Sequence, residues 1–131
     1  GICGGGAVRT PRDMQRLSGV HPDLVRVISR ARASADFVVT EGLRSTERQR
    51  QLVASGASQT MASRHLTGHA VDVAALVGGV VRWDWPLYDR LAQAVKKAAA
   101  EEEVAIVWGG DWPKFRDGPH FELEWRRYPV G

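Results

Sequence analysis

Cysteine is nearly absent from this sequence, which contains one cysteine among its 131 residues. A single cysteine, Cys3, excludes an internal disulfide, and its place in the glycine-rich segment GICGGG gives no reason to count it as a metal ligand. No apolar run approaches the roughly 20 residues that a membrane-spanning helix requires. The first ten residues also contain no apolar stretch long enough for a secretory signal. These absences predict a soluble protein with no stable membrane association.

Lysine is absent from residues 1–65, which carry ten arginines against five acidic residues. Residues 66–131 carry eight basic residues against ten acidic ones, and the whole chain has a net charge of +3. The positive first half could attract an anionic polymer such as nucleic acid or a cell envelope. Because no DNA- or RNA-binding motif accompanies the arginines, we predict solvated helix faces and no nucleic-acid partner.

The length of the chain suits one domain with one hydrophobic core. Its content of 44% hydrophobic and 25% charged residues is that of a globular protein. No repeat or linker divides the chain, so residues 11–131 are predicted to form a single domain. Residues 1–10 are predicted to be either a flexible glycine-rich tail or a remnant of cloning.

Hydrophobic periodicity predicts an α+β fold. The predicted helices cover residues 21–34, 45–56 and 84–103, and the predicted strands cover residues 37–41, 68–76, 78–83, 104–109 and 120–125. Two of the strands meet at Gly78-Gly79, a dipeptide that is typical of a hairpin turn. Helices and strands alternate irregularly, which favours a small, mostly antiparallel sheet packed with helices over a doubly wound parallel sheet.

Side-chain spacing predicts several details of these helices. Thr46 and Gln49 have the spacing of a capping box, and Asp84 is the predicted N-cap of the helix at residues 84–103. The predicted buried stripe of the first helix consists of Leu24, Val27, Ile28 and Ala31. The predicted stripe of the last helix consists of Leu87, Leu91, Ala94, Val95 and Ala98.

The segment SRHLTGHAVD, residues 63–72, places two histidines and an aspartate within ten residues. On a strand, His69 and Asp72 point to opposite faces, whereas His65 lies in the loop before the strand and can fold over the face of Asp72. His120, in the distant segment DGPHFE, is the third candidate ligand. Two histidines and one carboxylate leave a coordination position open for water, as in a catalytic zinc site.

These residues also allow interpretations without zinc. A histidine beside an aspartate is commonly just a hydrogen-bonded pair, and two histidines with one carboxylate bind iron in non-haem oxygenases. Those oxygenases usually place the first histidine and the carboxylate two residues apart, unlike His65 and Asp72. A hydrolytic site also requires a base close to the attacking water. Asp117, three residues before His120, is the candidate for that base.

Four segments of the sequence resemble a known family. SRHLTGHAVD fits the pattern Ser-x-His-x-x-Gly-x-Ala-x-Asp, and DGPHFE fits Asp-x-x-His-Phe-Glu. EGLRSTERQ and WGGDW are similar to the family's segments before the first and the last metal ligand. Together these segments resemble the zinc-dependent LAS peptidases and, more narrowly, the L-alanyl-D-glutamate endopeptidases that bacteriophages use as endolysins. The resemblance implies a catalytic domain with a fold like that of hedgehog domains and D-Ala-D-Ala peptidases.

The resemblance implies a role for each residue at the centre of the site. One zinc ion per chain would be held by His65, Asp72 and His120. Asp117 would be the general acid/base that moves the proton of the attacking water. Arg44 would act as a polar clamp on the substrate or on its tetrahedral intermediate.

Further residues would surround this centre. The resemblance implies that Ser45 and Gln49 support the edge that carries Arg44. Trp108 and Trp112 flank the glycines of WGGDW and could line a substrate groove, although they could equally anchor the core. Asp111 is a candidate for the carboxylate that orients a ligand histidine.

The implied reaction is zinc-dependent hydrolysis of the peptidoglycan stem peptide between L-Ala and D-Glu by a phage or prophage endolysin. Two alternatives stay open: a D-Ala-D-Ala carboxypeptidase or dipeptidase, and a non-hydrolytic, zinc-holding binding module of the same fold. Related dipeptidases place a glutamate where Asp117 stands, which favours the endopeptidase. We further expect a monomer that is made in the host cytoplasm without a signal peptide and depends on a phage holin to reach the cell wall in the periplasm.

Overall fold

The computed structural model describes residues 11–58, 63–114 and 116–129, so the predicted tail at residues 1–10 lies outside this part of the chain. The helices within it are α1 (Pro11–Arg16), α2 (Pro22–Ala31), α3 (Thr46–Ala54) and α4 (Trp85–Glu102). The strands are β1 (Phe37–Glu41), β2 (Ala70–Val77), β3 (Val80–Arg82), β4 (Ile106–Trp108) and β5 (His120–Leu123). Short 3-10 turns cover Arg64–Thr67 and Gly109–Asp111. The predicted α+β class is confirmed.

β2 is the strand on which the sheet is assembled. The strand order is β1-β2-β5-β4, every pairing is antiparallel, and β3 extends β2 as a hairpin. Gly78 and Gly79, with φ of 59° and 81°, form the predicted hairpin turn, which requires left-handed backbone at successive residues. The register sets Glu41 of β1 and His120 of β5 on either side of Asp72. The sheet therefore brings three distant segments to one point.

The hydrophobic core lies between α2, α4 and the sheet. The four residues predicted to form the buried stripe of α2 are all buried, which confirms that prediction. The buried residues of α4 are Tyr88, Leu91, Ala92, Val95, Ala98 and Ala99. Leu87 and Ala94 are only partly buried, so their places in the predicted stripe are wrong. Among the described residues, none of the helices combines the length and apolarity needed to cross a bilayer.

The inward position of Tyr88 explains the rotated stripe of α4. Its hydroxyl accepts a hydrogen bond from the backbone N–H of Ala75 at 3.1 Å and donates to the carbonyl of Arg82 at 2.9 Å. These bonds tie the first turns of α4 to the β2–β3 hairpin. Because they depend on how α4 packs against the hairpin, helical spacing alone could not predict them.

Two helix caps also differ from their predictions. Ser45, not Thr46, is the N-cap of α3, and its hydroxyl accepts the backbone N–H of Arg48 at 3.0 Å. The predicted capping box is therefore wrong by one residue. Asp84 stands at the N-cap position of α4, as predicted, but makes no side-chain cap hydrogen bond. Its carboxylate instead pairs with Arg82 at 2.6 Å.

Gly68 closes the 3-10 turn that carries His65. It adopts the left-handed conformation, with φ of 74°. A Cβ at this position would lie 2.2 Å from the carbonyl oxygen of Gly19, so only glycine lets the two backbones approach. Gly56, after α3, has a similar φ of 80° but no atom within 4 Å of its hypothetical Cβ.

We expect Gly68→Ala to destabilise the protein more than Gly56→Ala. Both substitutions force alanine into left-handed backbone, which costs about 1–2 kcal/mol. Only Gly68→Ala also overlaps the Gly19 carbonyl, which adds roughly 1–3 kcal/mol. Urea unfolding of both variants measures the difference. Equal losses in the free energy of unfolding would show that the contact with Gly19 imposes no constraint.

Candidate active site

Three potential metal ligands meet at β2. His65 comes from the 3-10 turn before the strand, Asp72 from the strand itself and His120 from the first position of β5. Oδ1 of Asp72 lies 3.2 Å from Nε2 of His65 and 3.1 Å from Nδ1 of His120. One ligand atom from each residue lies within 4.8 Å of the others. The structure thus brings together the three residues predicted as ligands, in a cluster that could hold a metal ion.

His65 presents a free lone pair to this cluster. Its Nδ1 lies 2.8 Å from the carbonyl oxygen of Gly42, and because a carbonyl can only accept, Nδ1 of the neutral ring carries the proton. Nε2 is then an acceptor, and it is buried without a hydrogen-bond partner. A buried acceptor that faces a carboxylate without a donor is unfavourable. A cation between Nε2 and Asp72 would satisfy both groups, so the site fits a metal ion.

Glu122 orients the second histidine. Nε2 of His120 lies 2.7 Å from Oε1 of Glu122, which leaves Nδ1 facing Asp72. The other carboxylate oxygen of Glu122 accepts the indole N–H of Trp125 at 2.9 Å. A carboxylate behind a histidine ligand fixes the orientation of the ring and makes it more basic. His120 is therefore held in place for coordination through Nδ1.

In the absence of a metal, the cluster retains a proton. Burial disfavours the charged form of His120, but hydrogen bonds to Asp72 and Glu122 outweigh burial and raise the pKa of His120 to about 9. Burial also opposes the charge on Asp72, yet its contacts with His120 and His65 lower the pKa of this carboxyl. A metal ion must therefore displace a proton from His120 at neutral pH, and we expect tighter binding as the pH rises.

Asp117 lies next to His120, but its carboxyl group has a different electrostatic environment from that of Asp72. Its backbone N–H donates to the carbonyl of Gly109 at 3.0 Å, and its carbonyl accepts the N–H of His120 at 3.2 Å. Burial raises the pKa of the Asp117 carboxyl, and the negative charge of Asp72 raises it further. A carboxyl with a raised pKa can both take up and release a proton nearer neutral pH, as general acid/base catalysis requires.

Arg44 is buried beside Asp72 and held by two partners. Its Nε and Nη2 donate to the two carboxylate oxygens of Glu41, each at 2.7 Å, and its Nη1 donates to Oε1 of Gln49 at 2.6 Å. Nη2 also lies 3.7 Å from Oδ2 of Asp72. The bidentate pairing with Glu41 fixes the plane of the guanidinium. Arg44 therefore stands at a defined position next to the cluster.

A groove of about 810 Å³ opens over the cluster, within the usual range of about 300–1,000 Å³ for ligand sites. Its lining side chains, taken from the described residues, are Arg44, Leu52, Ala57, Ser58, Ser63, Arg64, His65, Val107, Trp112, Lys114, Arg116, Asp117, His120, Glu122 and Trp125. The candidate base and both candidate ligand histidines therefore line the same groove.

Ser45 and Gln49, predicted to act beside Arg44 at the substrate, do not line this groove. Ser45 is occupied as the N-cap of α3. Gln49 is fully buried. Its amide oxygen accepts a hydrogen bond from Arg44, and its amide nitrogen donates to the Ser58 hydroxyl at 2.8 Å. Gln49 thus supports Arg44 as the resemblance implies, and neither Ser45 nor Gln49 is among the described residues that line the groove.

The two tryptophans of WGGDW have different environments. Trp108 is buried, its indole N–H donates to the carbonyl of Gly118 at 2.7 Å, and its ring stacks on Phe121. Its predicted place in the groove is wrong, and the core alternative holds. Trp112 does line the groove, with its ring centroid 5.1 Å from that of His120.

His69 lies outside the cluster. Its Nδ1 lies 2.7 Å from the hydroxyl oxygen of Thr67, and its ring centroid is 5.6 Å from that of His21. The cluster of potential ligands contains His65, Asp72 and His120 without it. The geometry agrees with strand alternation, which placed His69 and Asp72 on opposite faces.

Sequence comparison assigns the chain to a family. The profile of the phage L-alanyl-D-glutamate peptidases matches residues 9–124, a span that contains every residue of the cluster and the groove except Trp125. The chain belongs to the phage L-alanyl-D-glutamate peptidase family. The resemblance inferred from the four sequence segments is confirmed.

Individual members of this peptidase family are similar over most of the chain. It is 30% identical to the L-alanyl-D-glutamate peptidase of Escherichia phage T5, with 89% of each protein covered. It is 39% identical to the L-alanyl-D-glutamate peptidase of Listeria phage A118 over 71% of its own length, but spans only 32% of that relative. The crystal structure of the L-Ala D-Glu endopeptidase ChiX from Serratia marcescens matches with a TM-score of 0.88, 53% identity and 93% coverage of both chains.

The structure of this peptidase-family member also reveals acidic residues that the sequence analysis missed. Asp111, predicted to orient a ligand histidine, instead pairs with Lys96 at 2.6 Å on the surface, so that prediction is wrong. Glu122 orients His120 instead. The sequence contained a signal for Glu122, because residues two apart on a strand, such as His120 and Glu122, share a face. Glu41 could not be found in this way, since its contact with Arg44 depends on how the chain turns after β1.

Replacement of either candidate ligand histidine should abolish metal binding, whereas replacement of His69 should not. His65→Ala and His120→Ala each remove one donor from the cluster, while His69→Ala leaves all three in place. Metal content after zinc loading and dialysis, measured by elemental analysis on variants with native circular dichroism, tests this expectation. Loss of metal from His69→Ala, or its retention in both other variants, would contradict the ligand assignment.

Proposed function

We propose that this chain is a zinc-dependent peptidoglycan hydrolase that cleaves the stem peptide between L-Ala and D-Glu. The observation that carries the proposal is the convergence of three potential ligand atoms within 4.8 Å, with Asp117 in the wall of the same groove. The relatives named above are L-alanyl-D-glutamate peptidases or endopeptidases. Their names support this cleavage over the D-Ala-D-Ala peptidase and binding-module alternatives.

Zinc is the metal that suits the donor set best. Two imidazole nitrogens and a carboxylate oxygen are a common set for catalytic zinc, in which a further position stays open. His65, Asp72 and His120 would hold the ion, and the unpartnered Nε2 of His65 supports this assignment. When bound, zinc supplies Lewis acidity, which polarises a carbonyl and makes a water molecule more acidic.

Asp117 is the proposed general acid/base. As a carboxylate it accepts a proton from the attacking water, and as an acid it donates that proton to the amide nitrogen of D-Glu as the C–N bond breaks. The described groove walls contain one other carboxylate, that of Glu122. Both oxygens of Glu122 are engaged, by His120 and by Trp125, which supports the assignment to Asp117.

Arg44 is the proposed electrostatic partner of the scissile carbonyl. Its guanidinium is held by Glu41 and Gln49 and lies in the groove wall beside the cluster, where its remaining N–H bonds can donate to an oxygen that gains negative charge. Trp112 is the proposed apolar wall for the peptide. The cation of Lys114 in the groove wall suits the carboxylates of a stem peptide.

The proposal includes a cellular role for the protein as an endolysin. The similarity to peptidases of two phages supports an endolysin that is made in the host cytoplasm and acts on the cell wall in the periplasm. We propose that it works as a monomer and that a phage holin gives it access to the wall. Peptidoglycan is then its single macromolecular substrate.

Asp117→Asn should keep the bound zinc yet lose hydrolysis. The amide preserves the shape of the side chain but cannot accept the proton of water, and general acid/base catalysis contributes typically about 10²–10⁴-fold to a rate. Asp111→Asn is the matched control, because Asp111 lies on the surface, paired with Lys96. Zinc stoichiometry and kcat on a soluble muropeptide are the measurements. Near-wild-type kcat in Asp117→Asn would remove Asp117 as the base.

A further inference from the structure

A second, smaller cavity of about 190 Å³ is also bordered by Asp117. Trp83, Trp85 and Tyr88 line one side of it, and residues 116–119 line the other. Arg116 and Asp117 border both this cavity and the groove over the metal cluster. The surface that surrounds the proposed base is therefore continuous from the groove to a pair of tryptophans. We call Trp83, Trp85 and Arg116 the aromatic ledge.

The two tryptophans of the aromatic ledge are unusually open to solvent. Trp83 is 60% exposed and Trp85 is 42% exposed. Large apolar side chains that cluster on a surface commonly mark a binding site, and tryptophan and arginine are enriched where binding energy is concentrated. Both rings therefore keep apolar area that the protein does not cover and that a ligand could cover.

The aromatic ledge is also rigid. The ring of Trp83 stacks on Tyr88, with centroids 5.9 Å apart and planes within 5°, and the Tyr88 hydroxyl is fixed by two backbone hydrogen bonds. The guanidinium of Arg116 lies over Trp85 at 4.2 Å, and its Nε donates to the carbonyl of Gly110 at 2.7 Å. A rigid aromatic surface loses little conformational entropy when a ligand binds.

The aromatic ledge borders the segment that carries Asp117. Trp85 packs against Gly118, where a Cβ would stand 3.3 Å from its Cζ3, and Gly118 directly follows Asp117. An extended residue spans at most about 3.6 Å. In peptidoglycan, the L-Ala of the stem is attached through a lactyl group to an amino sugar. The glycan therefore begins one residue away from the bond between L-Ala and D-Glu.

The chemistry of the ledge matches an amino sugar. The C–H face of a pyranose ring is apolar and can pack flat against an indole, while its hydroxyl and acetamido groups at the ring edge need hydrogen bonds. Arg116 carries several N–H donors beside the indole of Trp85. The cavity is smaller than the roughly 300 Å³ at which drug-sized ligand sites begin, as expected for one sugar ring rather than a peptide.

We infer that the aromatic ledge is a subsite for the amino sugar that carries the stem peptide, so that the enzyme recognises the glycan as well as the peptide. This inference rests on the proposed function. Exposed Val80 and Val81 of β3 lie near in sequence, and a second copy of the chain is the competing occupant of this surface. Continuity with the groove through Arg116 and Asp117 favours the glycan.

A pair of matched substrates tests the inference. One is a disaccharide peptide, N-acetylglucosamine–N-acetylmuramyl-L-Ala-D-Glu-diaminopimelate, and the other is the same peptide with an N-acetyl cap in place of the sugar. Zinc-loaded wild type should show the higher kcat/KM on the disaccharide peptide. Trp83→Ala should lower kcat/KM on that substrate roughly five- to tenfold and leave the capped peptide little changed. Met14→Ala, which removes another exposed apolar side chain, should alter neither.

Equal kcat/KM of the wild type on both substrates, or an equal loss for Trp83→Ala on both, would overturn the subsite. A loss accompanied by a smaller sedimentation coefficient of Trp83→Ala would assign the surface to a second copy instead. Failure to cleave either substrate would overturn the proposed function. The subsite is then judged by NMR titration with the disaccharide alone, in which the indole N–H signals of Trp83 and Trp85 should shift. Unchanged signals would overturn it.

Discussion

Asp72 shares one carboxylate oxygen between two buried imidazoles, and the arrangement of the sheet keeps that contact in place. The oxygen lies 3.2 Å from His65 and 3.1 Å from His120, residues that are 55 positions apart in the chain. β2 can join them because it pairs with β5 on one side and follows the 3-10 turn of His65 directly. Gly68 lets this turn approach the backbone of Gly19. Without a cation, this carboxylate and that of Glu122 stabilise the buried positive charge of His120.

Asp72 and Asp117, two aspartates near the same histidines, have opposite electrostatic environments. Histidine partners lower the pKa of Asp72, whereas burial and the neighbouring charge of Asp72 raise the pKa of Asp117. Such a separation commonly distinguishes a group that stays charged from one that exchanges protons. The charge of Asp72 thus makes Asp117 easier to protonate. The arrangement supports the proposal that Asp72 is a metal ligand and Asp117 is the base.

Two local features of the site could be predicted from the spacing of residues in the sequence. Alternation along β2 separates His69 from Asp72, and the spacing in DGPHFE places a carboxyl group near His120. Relations that depend on tertiary contact could not be predicted in this way. The bond between Nδ1 of His65 and the carbonyl of Gly42 involves a backbone atom that carries no sequence signal. Trp108 could equally have lined the groove or the core, and only the packing on Phe121 decided this.

The helices also show that features which depend on tertiary contact could not be predicted from the sequence. α2 was predicted with its full buried stripe, since one face of a short amphipathic helix meets one core. α1 was not predicted, because its place is set by Asp13, whose carboxylate accepts the N–H of Val39 on β1 at 3.0 Å. α4 contacts both α2 and the sheet, so its buried face is wider than a single stripe. Interactions between elements, rather than propensity, determined these features.

The central claim is that the cluster around Asp72 hydrolyses the bond between L-Ala and D-Glu with a bound metal. Mass spectrometry of purified peptidoglycan, digested with the zinc-loaded protein and with the chelator-treated protein, tests it most directly. We predict fragments with a new amino-terminal D-Glu from the zinc-loaded protein only. Release of free D-Ala, or equal products with and without the chelator, would contradict the claim.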